Sequence, residues 1–142
     1  MHPLHAHLNP SCHILIVDRS ATMRARLKRV VRDAGLPATR LFEAADAAEA
    51  LELLAVHHVD LAVVDLALAS MHGEGRDLIG RIVSEPATRS VCVVAMAPGP
   101  VPSDPRMLRR LRRRGIRGCL PRPFTAAALR VAVADVLELS LA

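Results

Sequence analysis

His13-Ile14-Leu15-Ile16-Val17-Asp18 and Asp60-Leu61-Ala62-Val63-Val64-Asp65 are the two stretches that decide the fold. Each is an unbroken apolar run, rich in Ile, Val and Leu, that closes on an aspartate. Runs of this length without polar alternation suit parallel strands covered on both faces, and parallel sheets present their functional groups at the carboxyl ends of the strands. Two carboxylates at two such ends, with the cationic turn Leu120-Pro121-Arg122-Pro123-Phe124 beyond a third strand, make one polar pocket on an apolar scaffold.

Outward from these runs the chain alternates. Ser20 offers an N-cap for a helix over 20–34, whose Met23, Leu27, Val30, Val31 and Ala34 fall at helical spacing, and Gly35 and Pro37 end it. The same signals predict strands over 39–43, 60–65, 90–95 and 118–120. Helices are predicted over 46–56 and 76–84, then one opened by Asp104 as N-cap with Pro105 at its first position, and a last one over 125–139. Five strands alternating with five helices through short connections specify an α/β fold, a doubly wound parallel sheet. Residues 1–12 read as a flexible N-terminal leader and 13–142 as one domain. His2, His5 and His7 of the leader have no carboxylate or cysteine beside them to complete a metal site.

With 142 residues, 51% of them hydrophobic, the chain can bury roughly 70% of its unfolded surface and is not a disordered segment. Phe42 and Phe124 are its only aromatics, so the core is aliphatic and no stacking platform for single-stranded nucleic acid exists. The net charge of +5 is carried by arginine, with Lys28 the only lysine. Such a balance fits an acidic partner or nucleic acid, and equally a composition bias with no partner at all. Cys12, Cys92 and Cys119 are odd in number and lack metal-ligand spacing, which suits reduced thiols. No apolar run reaches the ~20 residues of a membrane span, and the start has no signal-peptide pattern. The expected location is the cytoplasm.

The segments at the strand ends carry a resemblance. Ile14-Leu15-Ile16-Val17-Asp18-Arg19-Ser20-Ala21-Thr22-Met23-Arg24 is similar to the opening of a response-regulator receiver domain, the CheY-like fold of two-component phosphorelay signalling. Val63-Val64-Asp65-Leu66 with Gly73 resembles the phospho-acceptor strand of that family, and Arg122-Pro123-Phe124-Thr125 its Lys-Pro-Phe turn. The resemblance spans about residues 13–139. It implies a flavodoxin/CheY-like (βα)5 sheet of order 2-1-3-4-5, with Asp65 phosphorylated by a histidine kinase or phosphotransfer protein. It further implies that Asp18 and Asp65 hold Mg²⁺ and that Arg122 stands where a lysine contacts the phosphoryl group. A carboxylate attacking phosphorus needs its charge neutralised, and a hard, oxygen-seeking dication with a cationic side chain does that.

Five departures bear on this. Arg19 occupies the place of the second metal-binding acid. Ala95 falls where a Ser or Thr hydroxyl turns toward the phosphate. Cys119 replaces the aromatic of the switch, and Ala69 and His72 replace the usual proline and aspartate after the acceptor. Two unit charges ~4 Å apart interact by about 4 kcal/mol at an effective dielectric near 20, so Arg19 inside the pocket weakens metal binding by several kcal/mol. Arg19 turned outward on its long stem leaves it intact. A third arrangement has Arg122 clamping Asp65 or Asp18 in place of the metal.

The fourth helix, with Arg106, Arg109, Arg110 and Arg113, is a basic face. It suits a solvated surface, an acidic downstream protein or, without any base readout, non-specific nucleic-acid contact. In the resembled family the fourth-to-fifth-helix region also serves homodimers and output. The leading reading is a stand-alone receiver, not an enzyme, that is either phosphorylated on Asp65 or atypical with weak or no phosphorylation. The alternative is a phosphorylation-independent scaffold with a vestigial pocket, docking an acidic partner through the fourth helix. An enzymatic reading, from the likeness of Asp18-Arg19-Ser20-Ala21-Thr22 to the haloacid-dehalogenase-type phosphatase motif, meets Ser20 where a second aspartate is needed.

Overall fold

A computed structural model of the chain describes residues 12–35, 38–66, 74–97, 104–121 and 124–132. Nine elements run in the order β1 (Cys12–Val17), α1 (Ala21–Asp33), β2 (Ala38–Ala44), α2 (Ala47–Val56), β3 (Leu61–Asp65), α3 (Glu74–Ser84), β4 (Cys92–Ala97), α4 (Pro105–Arg113) and β5 (Ile116–Pro121). A further helix, α5, is described over 126–132. The five strands form one parallel sheet in the order β2-β1-β3-β4-β5, which is the expected doubly wound topology.

The apolar runs quoted above are buried on both sides, and their alternate residues feed two separate cores. Leu15, Val17, Ala62, Val64, Val93 and Ala95 face Ala50 and Leu54 of α2 and Leu78, Ile79 and Ile82 of α3. Ile14, Ile16, Leu61, Val63, Val94 and Met96 face Leu27 and Val31 of α1, together with Phe124 and Leu129. Each fully buried aliphatic side chain contributes roughly 1.5–3 kcal/mol of transfer free energy, so these two layers dominate the stability of the domain.

The helix starts are set as the sequence predicts. Ser20 Oγ accepts from Met23 N at 3.1 Å and Asp46 Oδ1 from Glu49 N at 2.8 Å. Glu49 in return accepts from the amide of Ala45, the residue before the cap, at 2.6 Å. Asp104 caps α4 with Pro105 in its first turn.

One strand lies elsewhere than expected. β4 is Cys92–Ala97 rather than 90–95, because Ser90 and Val91 are held in the preceding turn. There Thr88 Oγ1 donates to the Ile82 carbonyl at 2.8 Å and Val91 N to the Thr88 carbonyl at 2.9 Å. β5 is also longer than the predicted 118–120. Cys12, counted with the predicted leader, opens β1; residues 1–11 and the end of the predicted last helix lie outside the described residues.

Two glycines make opposite predictions. Gly115, between α4 and β5, has φ +91°, and an added methyl would press on Val83, 2.9 Å from its Cβ. Gly115→Ala is expected to lower unfolding stability by more than about 1 kcal/mol in urea denaturation. Gly80 lies inside α3, and a methyl group added there would have no neighbour within 4 Å. Gly80→Ala is expected to raise stability by about 0.5–1 kcal/mol in the same measurement.

Candidate functional site

The register of the two central strands places the acids. Val17 is paired with Val64, so Asp18 and Asp65 each follow one member of the last registered pair. Neighbouring strands run about 4.8 Å apart, which brings the two backbones side by side at one rim. Both carboxylates are buried, Asp18 at 0% and Asp65 at 2% exposure. Burying carboxylates is costly unless they are hydrogen-bonded or paired. Among the described residues no buried side-chain polar atom lacks a partner. One of those bonds is from Ser20 N to Asp18 Oδ1 at 2.9 Å, so the start of α1 also orients the acid.

The loop after β1 is held by a residue that helical periodicity alone does not single out. Arg24 Nη1 donates to the Asp18 carbonyl at 2.7 Å and to the Arg19 carbonyl at 3.3 Å, while its Nε donates to Glu43 at 3.1 Å. Lys28 Nζ donates to the other Glu43 oxygen at 2.7 Å. Arg24 and Lys28 are one helical turn apart on α1, and Glu43 lies near the end of β2. Their signal in the sequence is this i, i+4 cation pair opposite a strand-end acid. The Lys28 ammonium bonded to Glu43, with Arg24 beside it, holds that carboxyl below its usual 4.5 despite partial desolvation.

The remaining predicted positions are only partly brought together. Arg19 is exposed at the bend after β1. Ala95 pairs with Val64, one residue short of Asp65, and is fully buried in the core. The residue that pairs with Asp65 is Met96, which likewise carries no hydroxyl. Cys119 pairs with Ala95 across β4–β5 and is half-buried, with burial pushing its thiol pKa up. It is a neutral, compact side chain with no ring. Arg122, Ala69 and His72 lie outside the described residues. Arg106, Arg109, Arg110 and Arg113 are all exposed on α4.

Asp18 and Asp65 suit a hard divalent cation by chemistry, but among the described residues no group of three or more His, Cys, Asp or Glu side chains could hold a metal ion. The pocket supplies two carboxylates, and the position of a third is exposed arginine. Among the described residues, no helix is long and apolar enough to cross a membrane.

Comparison with known proteins agrees with this geometry. Residues 14–134 match the family described as the response regulator receiver domain. The chain is 30% identical over 135 residues to Chemotaxis protein CheY-3 of Vibrio cholerae, with 95% of this chain and 98% of that protein covered. Among solved structures it is similar to the signal receiver domain of a DNA-binding response regulator from Colwellia psychrerythraea. That match has a TM-score of 0.73 at 22% identity, covering 90% of this chain and 99% of the other. The signal receiver domain of an HD domain-containing protein from Pseudomonas fluorescens aligns with a TM-score of 0.70 at 28% identity, over 89% and 94% of the two chains.

The Glu43 cluster makes a prediction of definite sign. Its depressed pKa means that its contribution is complete above pH 4.5 and is lost as pH falls through the lower folded value. Glu43→Gln is therefore expected to lower stability at neutral pH, and the difference from the parent should shrink below pH 4.5 in pH-dependent urea unfolding.

Proposed function

The chain belongs to the response regulator receiver domain family, and from that membership we propose that it is an atypical two-component signalling receiver whose phospho-acceptor is Asp65. The observation that carries the proposal is the pair of buried carboxylates at the carboxyl ends of adjacent central strands. The phosphoryl donor is a histidine kinase or a phosphotransfer protein. An Asp65 oxygen attacks phosphorus, the phosphorus–nitrogen bond of the donor phosphohistidine breaks, and the departing imidazole takes a proton. Asp65 is positioned by the end of β3. Asp18, fixed by the Ser20 amide, stands beside the transferring group, and the resemblance assigns Arg122 the role of contacting it.

Mg²⁺, when bound to Asp18 and Asp65, supplies charge neutralisation for the transferring phosphoryl group. With Arg19 exposed, its repulsion of a dication is screened by solvent rather than acting at full strength. The site then binds Mg²⁺ weakly because an acid is missing. The protein acts on its partners in the cytoplasm as a signalling module and not as an enzyme.

A second reading is favoured by the parts downstream of the pocket. Neither Ala95 nor Met96, the β4 residue paired with Asp65, offers a hydroxyl and Cys119 offers no ring, so a phosphoryl group on Asp65 lacks the usual relay toward β5. In that reading the domain is a phosphorylation-independent scaffold, docking an acidic protein through the arginines of α4. Self-association through the face between α4 and α5 belongs to the same reading. A cleft of about 430 Å³ there is lined by Leu108, Cys119 and Val131.

Incubation with acetyl phosphate and millimolar Mg²⁺, followed by intact-mass measurement, tests the acceptor. A phosphoryl adduct that disappears in Asp65→Asn is the expected result, and a chain that takes up nothing leaves the scaffold. Arg19→Asp is expected to tighten Mg²⁺ binding about five- to tenfold by isothermal titration calorimetry, in line with a gain near 1 kcal/mol at an exposed position.

A further inference from the structure

A groove of about 510 Å³ opens between α3 and α4, away from the face that α4 turns toward β5 and α5. Its floor is apolar, made by Leu66, Ile79, Val83, Leu111 and Ile116. Its α4 wall carries Arg110, Arg113 and Arg114. Among the described residues no acidic side chain lines it and no ion pair joins any of these three arginines. A cleft with an oily floor and a wholly cationic wall is complementary to a ligand that is apolar on one side and anionic on the other.

Gly80 adds an independent observation. It lines the same groove and sits in the interior of α3, where glycine is less favourable than alanine. A Cβ added there would have no neighbour within 4 Å, so close packing within the domain does not require the glycine. It keeps the α3 wall flat, and a bare helix wall lets a second helix approach closely. The two walls therefore ask for a helix in the groove, with apolar anchors at i, i+3, i+4 and i+7 and acidic residues toward α4. Nucleic acid matches the arginines but not the apolar floor.

We propose that the α3–α4 groove docks an acidic amphipathic helix of a partner protein, with Gly80 as the point of close approach and Arg110, Arg113 and Arg114 as the charged wall. This rests on the acidic-partner reading given above and assigns it to one side of α4. It does not depend on phosphorylation of Asp65.

The test uses two fluorescein-labelled peptides of ~16 residues with identical Leu and Glu content, one with Leu at helical spacing and one scrambled. Binding to the full chain is followed by anisotropy at about 0.15 M salt. The amphipathic peptide is expected to bind about tenfold or more tightly than the scrambled one. Gly80→Leu, which has room to fold, should abolish that preference while circular dichroism shows an intact domain. The triple variant Arg110→Glu, Arg113→Glu, Arg114→Glu should weaken binding about tenfold. Arg106→Glu with Arg109→Glu, outside the groove, should change it by less than about threefold. Equal binding of both peptides, or binding untouched by Gly80→Leu, overturns the groove and leaves the acidic-partner reading standing. No binding of either peptide overturns both. Displacement of the amphipathic peptide by a short DNA duplex, with affinity insensitive to Gly80→Leu, overturns the proposal in favour of phosphate recognition.

Discussion

A central parallel strand has no solvent-facing side, and everything polar in this domain is arranged around that fact. β1 and β3 lie in the interior of the sheet order, each between two other strands, and give their side chains alternately to two aliphatic cores. A carboxylate cannot be tolerated within such a strand without a partner, since the cost of dehydrating it exceeds what a neighbouring Val or Leu could return. Polar chemistry is thereby confined to the strand ends. The register between Val17 and Val64 then fixes which two ends coincide. Neither Asp18 nor Asp65 is placed by a loop of its own choosing; both are placed by the packing of the residues before them.

That is also why the centre of the site is legible in the sequence. The runs Ile14–Val17 and Leu61–Val64 permit only a doubly covered strand, and each ends one residue before its aspartate. β4 is less well marked. Its apolar stretch starts earlier, at Val91, and the hydrogen bonds of Thr88 that hold this residue in a turn leave no trace in an apolar pattern. Across the β3–β4 ladder Met96 is the residue level with Asp65, while Ala95 pairs with Val64 one step deeper. Arg24 is hidden for a different reason. Helical spacing counts it among the cations of the polar face of α1, whereas its work is to bind the carbonyls of Asp18 and Arg19. Periodicity says which face a side chain occupies and nothing about the backbone groups within its reach.

The charges sort by element. Glu43 of β2 is paired with Arg24 and Lys28 of α1, and Glu85 with Arg81 of α3. The arginines of α4 cover a helix on which Leu111 is packed against the core and Leu108 is exposed. The residue after Asp65, Leu66, reaches the floor of the groove beside α4, and its amide is bonded to Met96 of β4 at 2.9 Å. The acidic rim and the cationic groove are thus one peptide apart, so a partner seated against Leu66 and the state of Asp65 share a stretch of backbone.

The two ends of β3 show why an aspartate beside a strand is not by itself a functional signal. Asp60 precedes the strand, and both its carboxylate oxygens are bonded, Oδ1 to His58 Nε2 and Oδ2 to the His13 amide, each at 2.8 Å. Its own amide and carbonyl serve His13 and Cys92. Asp60 closes the amino ends of β1, β3 and β4, substituting side-chain and main-chain bonds for the ladder that stops there. Its side chain is 39% exposed, so its charge remains largely hydrated and costs the fold little. Asp65, at the other end, is 2% exposed. There the fold dehydrates a carboxylate beside a second one, an arrangement that strand closure does not require.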